Sequence, residues 1–205
     1  MPARLGRRFP SRNPTALRQR LHADDSCPAG PYYATIIVND SSVGDVAWTN
    51  PDNAKGSDDV YATAITLLTQ TTQRLSATGF GFQIAIDQQI DGILIETEAK
   101  ALVDVARMTS RIIQDGAVAG APRTNNWTTT EGFIVFGGAT DLWGLTWTPS
   151  QINASNFGVS VRDEHVDDPA ETLSCDSIRM TVYCSTPVSG ELTAGTMMAL
   201  MGVGH

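Results

Sequence analysis

Two acidic segments are the first candidates for chemistry in this sequence. Positions 163–168 hold four carboxylates and one histidine directly before Pro169, and oxygen ligands at that density could hold Ca²⁺. The segment has no loop glycine and no EF-hand spacing, which favours a solvated acidic loop. Asp58 and Asp59 form a second pair. Neighbouring residues on a strand point to opposite faces, so this pair does not predict a shared acid–base site.

Three tryptophans are candidates for ligand contact. Trp143 and Trp147 are four positions apart and could form a platform on which sugar rings stack. The favoured interpretation is that both close one edge of a sandwich, with Gly144 between them giving the backbone room. Trp127 lies in a polar segment over positions 120–131, which is predicted to be a loop. Trp127 is therefore the better candidate for an exposed contact.

The three cysteines describe neither a metal site nor a closed disulfide framework. Cys27, Cys175 and Cys184 form no CxxC pair, and the three histidines lack ligand spacing. Cys175 and Cys184 are nine positions apart, so on one strand they would point to opposite faces and could not bond each other. The favoured interpretation is three free, buried or half-buried thiols, with intermolecular disulfides left open.

No catalytic signature occurs in the sequence. A nucleophile elbow, a P-loop and a dinucleotide-binding fingerprint are all missing. We therefore expect a protein that is not an enzyme and that has no catalytic residues, no metal site and no cofactor. The sequence also predicts neither a signal peptide nor a membrane span.

The elements that carry these residues divide the chain into three parts. The first, residues 1–31, contains five prolines and few apolar residues, so it is predicted to be an extended arm that is ordered only against a partner.

The first 22 residues carry no acidic residue. Their basic residues, predicted to bind a partner, are Arg4, Arg7, Arg8, Arg12, Arg18 and Arg20. The remainder of the chain has eight basic and 22 acidic residues, and a basic arm on an acidic body indicates a polyanionic partner, either nucleic acid or the acidic face of another subunit.

The last part, residues 187–205, is predicted to be an apolar tail. Its partner-binding candidates are Met197, Met198, Leu200 and Met201, and methionine adapts to irregular apolar surfaces. We expect the tail to pack between the protomers of a trimer or dimer. The alternatives are that it folds back on its own domain or grips the major shell protein.

The central part, residues 32–186, has the pattern of an all-β domain. Short alternating apolar runs separated by turn residues predict about eight strands. The runs are 35–38, 60–68, 80–86, 93–99, 108–113, 133–136, 157–161 and 178–182, with Asp91-Gly92 read as a turn before the fourth. Since no strand alternates with a helix, the fold class predicted is an antiparallel β-sandwich or jelly roll.

Several segments in this domain resemble a family of tailed-bacteriophage virion proteins. They are Asp59–Thr63, Leu75–Phe82, Ile90–Ile93, Asp141–Gly158 and Asp176–Tyr183, in the same order as in that family. The most specific is the Leu-Trp-Gly-Leu-Thr-Trp-Thr-Pro segment over 142–149. The resemblance covers about residues 50–184 and implies a β-sandwich attached to the head, neck or tail of a virion.

Together, the resemblance and the basic arm predict a structural virion protein. We expect a head decoration or fibre-type protein anchored by its arm, with major capsid or neck and tail subunits as partners rather than nucleic acid or a membrane. It is expected to form a homo-oligomer. The alternative is a carbohydrate- or receptor-binding module of a neck or tail that uses Trp127 and its surrounding loop.

Overall fold

The structure is a computed structural model that describes residues 27–103, 107–164 and 170–187. The residues predicted to bind partners lie outside these ranges: Arg4, Arg7, Arg8, Arg12, Arg18, Arg20, Met197, Met198, Leu200 and Met201. No helix among the described residues is long and apolar enough to cross a membrane.

Ten strands in the described ranges form two five-stranded sheets, and every pairing between these strands is antiparallel. They are β1 (Ala29–Tyr33), β2 (Ile36–Asp40), β3 (Ala62–Thr66), β4 (Arg74–Thr78), β5 (Gln89–Ala101), β6 (Arg107–Gln114), β7 (Ala117–Asn126), β8 (Gly132–Gly138), β9 (Gly158–Asp163) and β10 (Glu171–Ser185). The predicted fold class, an all-β antiparallel sandwich, is confirmed.

The first sheet has the order β1-β10-β5-β8, with β3 pairing the start of β10 beside β1. The second sheet has the order β2-β4-β9-β6-β7. The inward residues of both sheets form one apolar core, which includes Leu75 and Val159 from the second sheet and Ile95 and Met180 from the first. Alternation along each strand explains this arrangement, because every second side chain points to the same face.

The predicted turn at Asp91-Gly92 is wrong. Both residues lie inside β5, which continues unbroken for 13 residues between β10 and β8. A Cβ on Gly92 would overlap the backbone of Gly138 and Ala139, so glycine is required here for close approach of two segments. The Asp91-Gly92 pair, which is typical of a turn in the sequence, therefore marks a place where two segments of the folded protein pack closely.

The predicted strand over 80–86 is also corrected. Phe80, Phe82 and Ile84 are buried, as the alternation predicts, but Ile86 is exposed and the segment joins neither sheet. Gly79 and Gly81 both have φ values above 70°, which interrupts extended pairing. The backbone of Ile84 bonds to the Asn153 side chain instead, at 2.7 Å through its N–H and 2.8 Å through its carbonyl.

The polar segment at 120–131 is not a loop over its whole length. Residues up to Asn126 belong to β7, an edge strand that forms a hairpin with β6. The turn at Asp115-Gly116 has φ values of 53° and 81°, as expected for a tight hairpin turn.

Residues 29–31, which the sequence analysis placed in the arm, belong to β1, which pairs with β10.

The interpretation of three free thiols is wrong for two of them. Cys27 and Cys184 form a disulfide with Cα atoms 5.5 Å apart, a usual separation for a bridged pair. The two segments meet because β1 pairs with the end of β10, with Ala29 opposite Val182. Cys175 is free and buried, and burial raises the pKa of its thiol. It lies on the same strand as Cys184 and does not bond to it, as predicted.

Candidate functional site

Trp127, predicted to be an exposed ligand contact, is buried. Its exposed fraction is 1%, and its ring stacks on Trp48 with the centroids 6.3 Å apart. Burial of both indoles places this pair in the core of the sandwich. The prediction that Trp127 is an exposed ligand contact is therefore wrong.

The structure confirms that Trp143 and Trp147 are packing residues. Trp143 is fully buried, and its indole N–H donates to the Ile93 carbonyl at 3.1 Å. Trp147 packs edge-on against Phe157, with the centroids 5.3 Å apart. Gly144 has a φ of 72°, the left-handed conformation that favours glycine. These residues fix the loop that follows β8 and do not form a stacking platform.

The acidic segment at 163–168 is described only in part, because 165–169 lie outside the described residues. Asp163 is buried, and its N–H donates to Thr72 Oγ1 at 2.9 Å. Glu164 forms an ion pair with Arg162. Burial tends to raise the pKa of Glu164, but the hydrogen-bonded Arg162 guanidinium, with the positive charge of Arg107, holds it below its ordinary value.

A different group of carboxylates is brought together by the fold. Asp59, Glu131 and Asp176 each place an oxygen within 4.8 Å of the others. The Lys100 ammonium already donates to Glu131 at 2.8 Å and to the Tyr61 hydroxyl at 2.9 Å. Hydrogen bonds from Lys100 and Tyr61 lower the pKa of Glu131, which is typical of a structural ion-pair network, and we assign no metal to it.

The outer face of the second sheet carries a groove of about 680 Å³, a volume usual for ligand sites. The groove crosses the sheet from β2 towards the turn between β6 and β7. Outward residues of successive strands line it, so the antiparallel register determines which side chains meet there.

Small hydroxyl residues form the middle of the groove. Ser76 and Thr78 line it from β4, and their inward neighbours Leu75 and Ala77 are buried in the core. Gly158 on β9 pairs with Thr78. A Cβ on Gly158 would overlap the Ala77 carbonyl oxygen. Short side chains on the central strands therefore leave a trough between the edge strands.

Aliphatic side chains form the two walls. Ile36 and Val38 stand on β2, each 49% exposed, and pair with Thr78 and Ser76 respectively. Ile113 and Val118 pair with each other across the β6–β7 hairpin on the other side. The walls are thus apolar where the floor carries hydroxyl groups.

A short helix positions the polar residues at one end of the groove. Helix α1 (Pro149–Ile152) begins with a capping box, in which the Thr148 hydroxyl accepts from the Gln151 N–H at 3.3 Å. Pro149 at the first helical position favours this start. Ser155 and Asn156 follow the helix and line the groove, where they add a hydroxyl and an amide.

The only charged residues that line the groove among the described positions are Asp40 and Arg74. They pair across β2 and β4, and the Arg74 guanidinium lies 3.5 Å from the Asp40 carboxylate and 2.9 Å from the Ser42 hydroxyl. Hydrogen bonds from Ser42, assisted by Arg74, hold the pKa of Asp40 below its ordinary value. Asp40 is therefore an ionised acceptor and not a proton donor at neutral pH.

Sequence reasoning missed the groove because it followed the inward residues of each strand. The available signal was the other half of the same alternation: Val38 on β2, Ser76 on β4 and Ser160 on β9 all point outward. Only the strand order, which one sequence does not determine, shows that these residues are neighbours.

No protein-family model and no curated protein sequence matches this chain. Several solved structures are similar to it at low sequence identity. One is a CBM4 carbohydrate-binding module, with 13% identity and a TM-score of 0.38 over 62% of this chain and 87% of that one. Another is a CBM61 module in complex with β-1,4-galactotriose, with 9% identity and a TM-score of 0.38 over 71% of this chain and 86% of that one.

A bacteriophage protein is similar at the same level. It is the enzymatically active domain of tailspike protein 4 from bacteriophage CBA120, with 8% identity and a TM-score of 0.38 over 75% of this chain and 22% of that one. At these identities the likenesses concern fold alone.

Proposed function

We propose that this chain is a non-enzymatic carbohydrate- or receptor-binding sandwich of a tailed-phage virion, and that the groove over the second sheet holds the ligand. The observation that carries this proposal is the composition of the groove. Ile36 and Val38 offer apolar contact beside the hydroxyl groups of Ser76 and Thr78. A sugar ring has the matching surface, because its C–H faces are apolar and its rim carries hydroxyl groups.

A binding role suits the groove better than hydrolysis. Glycoside hydrolysis usually requires two carboxyl groups on either side of the scissile bond. Among the described residues that line the groove, Asp40 is the one carboxylate, and its contacts with Ser42 and Arg74 keep it ionised. We therefore propose that the ligand is bound and released unchanged.

The attachment proposed for the virion uses the segments outside the sandwich. The Cys27–Cys184 disulfide and the β1–β10 pairing bring both ends of the described domain to one place on the first sheet. The groove lies on the outer face of the second sheet. With this arrangement, residues 1–26 and 188–205 could hold a decoration or fibre-type protein on its particle while the groove faces solution.

We also propose that the protein works as a homo-oligomer. Ile65 on β3 pairs with Thr172, and the Leu102 N–H donates to the Thr172 carbonyl at 3.0 Å. Ile65, Leu102 and the nearby Leu67 and Leu68 are between 56% and 69% exposed. Apolar side chains exposed at a sheet edge suit a contact between protomers, which light scattering of an Ile65→Lys variant would test by a loss of mass relative to the wild-type protein.

A panel of soluble and immobilised glycans tests the ligand. The full-length chain is expected to bind at least one glycan, and no reducing ends should appear during prolonged incubation with it. Failure to bind any glycan on a broad panel would contradict a carbohydrate ligand. Release of reducing ends would contradict the non-enzymatic role.

Purified particles test the attachment. Deletion of residues 2–22 is expected to reduce retention of the protein on virions, since it removes all six arginines of the arm. Copy number then separates the sites, because a decoration protein is expected at dozens to hundreds of copies and a neck or tail protein at a handful. Full retention of the truncated chain would contradict anchoring by the arm.

A further inference from the structure

Basic residues are concentrated on the outer face of the second sheet. The described ranges contain eight basic and 16 acidic residues. Half of the basic ones point outward from the strands of this sheet: Arg74, Arg107, Arg111 and Arg162. The acidic residues beside them are Asp40 and Glu164. The outer face beside this end of the groove therefore carries four basic and two acidic residues, on a body that is otherwise acidic.

The register places three of these arginines on neighbouring strands. Ser76 in the groove pairs with Ser160 on β9, and Ser160 pairs with Arg111 on β6. Arg74 and Arg162 are each two positions along their strands from those serines, so they share the same face. Adjacent strands are about 4.8 Å apart, so Arg162 and Arg111 lie one and two strands beyond Arg74, beside the end of the groove that Arg74 lines.

Arg162 is paired with Glu164 through its Nε and Nη2, whereas the hydrogen-bonding capacity of Arg74 and Arg111 is not fully used. Arg74 bonds to Asp40 and Ser42 through one nitrogen, Nη1. Arg111 donates from Nη2 to the Gly120 carbonyl at 3.0 Å, and its buried Nε has no partner in the described part of the chain. Like charges gathered on one face repel one another, so an anion bound here would relieve that repulsion.

We propose that the groove binds an acidic polysaccharide, whose carboxylate groups are held by Arg74 where it lines the groove, with Arg111 and Arg162 adding positive charge on the neighbouring strands. This inference rests on the proposed function and specifies its ligand class. Guanidinium groups bind carboxylates through paired, charge-assisted hydrogen bonds, while Ser76 and Thr78 are placed to bond the sugar hydroxyls.

The same residues favour a polysaccharide over other polyanions. The described residues that line the groove include no aromatic side chain, and sequence-tolerant binding of single-stranded nucleic acid depends on bases stacking on such side chains. The hydroxyl floor between aliphatic walls suits successive sugar rings, whose C–H faces and hydroxyl groups alternate. An acidic peptide is the remaining polyanion, and it enters the test as a competitor.

The experiment compares glycans that differ only in charge. The full-length chain is titrated with polygalacturonate and with its fully methyl-esterified form, alongside a panel of acidic glycans paired with their neutral counterparts. Acidic members are expected to bind about tenfold or more tightly than their neutral partners, and added NaCl should weaken that binding. Equal binding of both forms would overturn the acidic ligand and leave glycan binding intact. No binding to any glycan would overturn both proposals.

Matched variants distinguish specific binding in the groove from general electrostatic attraction between the glycan and the protein. Arg74→Gln is expected to weaken binding to the best acidic glycan about tenfold or more, and Arg74→Lys should retain part of it. Lys55→Gln removes the same charge at an ion pair with Asp52 away from the groove and should leave the affinity unchanged. Equal losses for Arg74→Gln and Lys55→Gln, or stronger binding of poly-glutamate than of any acidic glycan, would contradict the site.

Discussion

Cys27 and Cys184, separated by 157 positions in the sequence, are joined by a disulfide at the point where β1 meets the end of β10. This bond closes nearly the whole described domain into one covalent ring. It also fixes the strand that begins the sandwich to the strand that ends it. The stability of the sandwich is therefore expected to depend on the oxidation state of this pair.

Replacing both cysteines by serine is expected to lower the free energy of unfolding by about 5 kcal/mol, because a ring of this length restricts the unfolded chain. Urea denaturation of the wild-type protein with and without reductant measures the effect. The double variant is the control, since reductant should not shift its midpoint. Identical midpoints for the oxidised and reduced wild-type protein would contradict the bond.

Replacing Trp127 by alanine is expected to lower the free energy of unfolding by about 3–5 kcal/mol, as for other buried aromatic residues. Trp127→Phe should cost less, because it retains a ring against Trp48 and the buried indole N–H has no partner in the described part of the chain. Exposed Thr129, two positions away, serves as the control, and Thr129→Ala should change stability by less than about 0.5 kcal/mol. A stable Trp127→Ala variant with impaired ligand binding would restore the exposed-contact interpretation.

Replacing Asp176 by asparagine is expected to raise thermal stability at neutral pH. Burial, together with the negative charges of Glu98 and Glu131, raises the pKa of Asp176 above its ordinary value. A raised carboxyl pKa favours the folded state at low pH, and this contribution is lost as pH rises through the folded-state pKa. The variant keeps an acceptor for the Asp58 N–H and removes the charge.

The gain from Asp176→Asn should therefore shrink as the pH is lowered through the ordinary range for an aspartate, around pH 4. Melting temperatures across this range measure it, with Asp87→Asn at an exposed position as the control. A variant that is less stable than the wild-type protein at neutral pH would show that the Asp176 charge is compensated, for example by a cation held with Asp59 and Glu131.

The fold could be predicted where apolar and polar residues alternate along a single strand. Met108 and Ile112 on β6, and Met180 and Val182 on β10, identify an inward face without knowledge of the neighbours. The edge strand β7 was not predicted, because its small and polar residues show no such alternation. Gly92 was wrongly predicted to lie in a turn. A glycine after an aspartate signals a turn in the sequence, but here the glycine is required for close packing against Gly138.

The candidate site could not be predicted from one sequence. Ser76 and Arg111 lie on strands that are not adjacent in the chain, and they meet through Ser160 only because β9 inserts between β4 and β6. Trp127 shows the opposite error, since its polar neighbours suggested exposure while its burial depends on Trp48. Both errors arise because local patterns in the sequence do not determine the order and register of the strands.

Binding in the groove is tested most directly by filling it. Ser76→Tyr places a ring on the floor of the groove, and Ser174→Tyr places the same ring on the first sheet, at a half-buried outward position that pairs with Lys100. Both variants, once shown to melt like the wild-type protein, are titrated calorimetrically with the best glycan from the panel. We predict that Ser76→Tyr abolishes the binding heat and that Ser174→Tyr preserves it. Undiminished binding by Ser76→Tyr would contradict the groove as the ligand site.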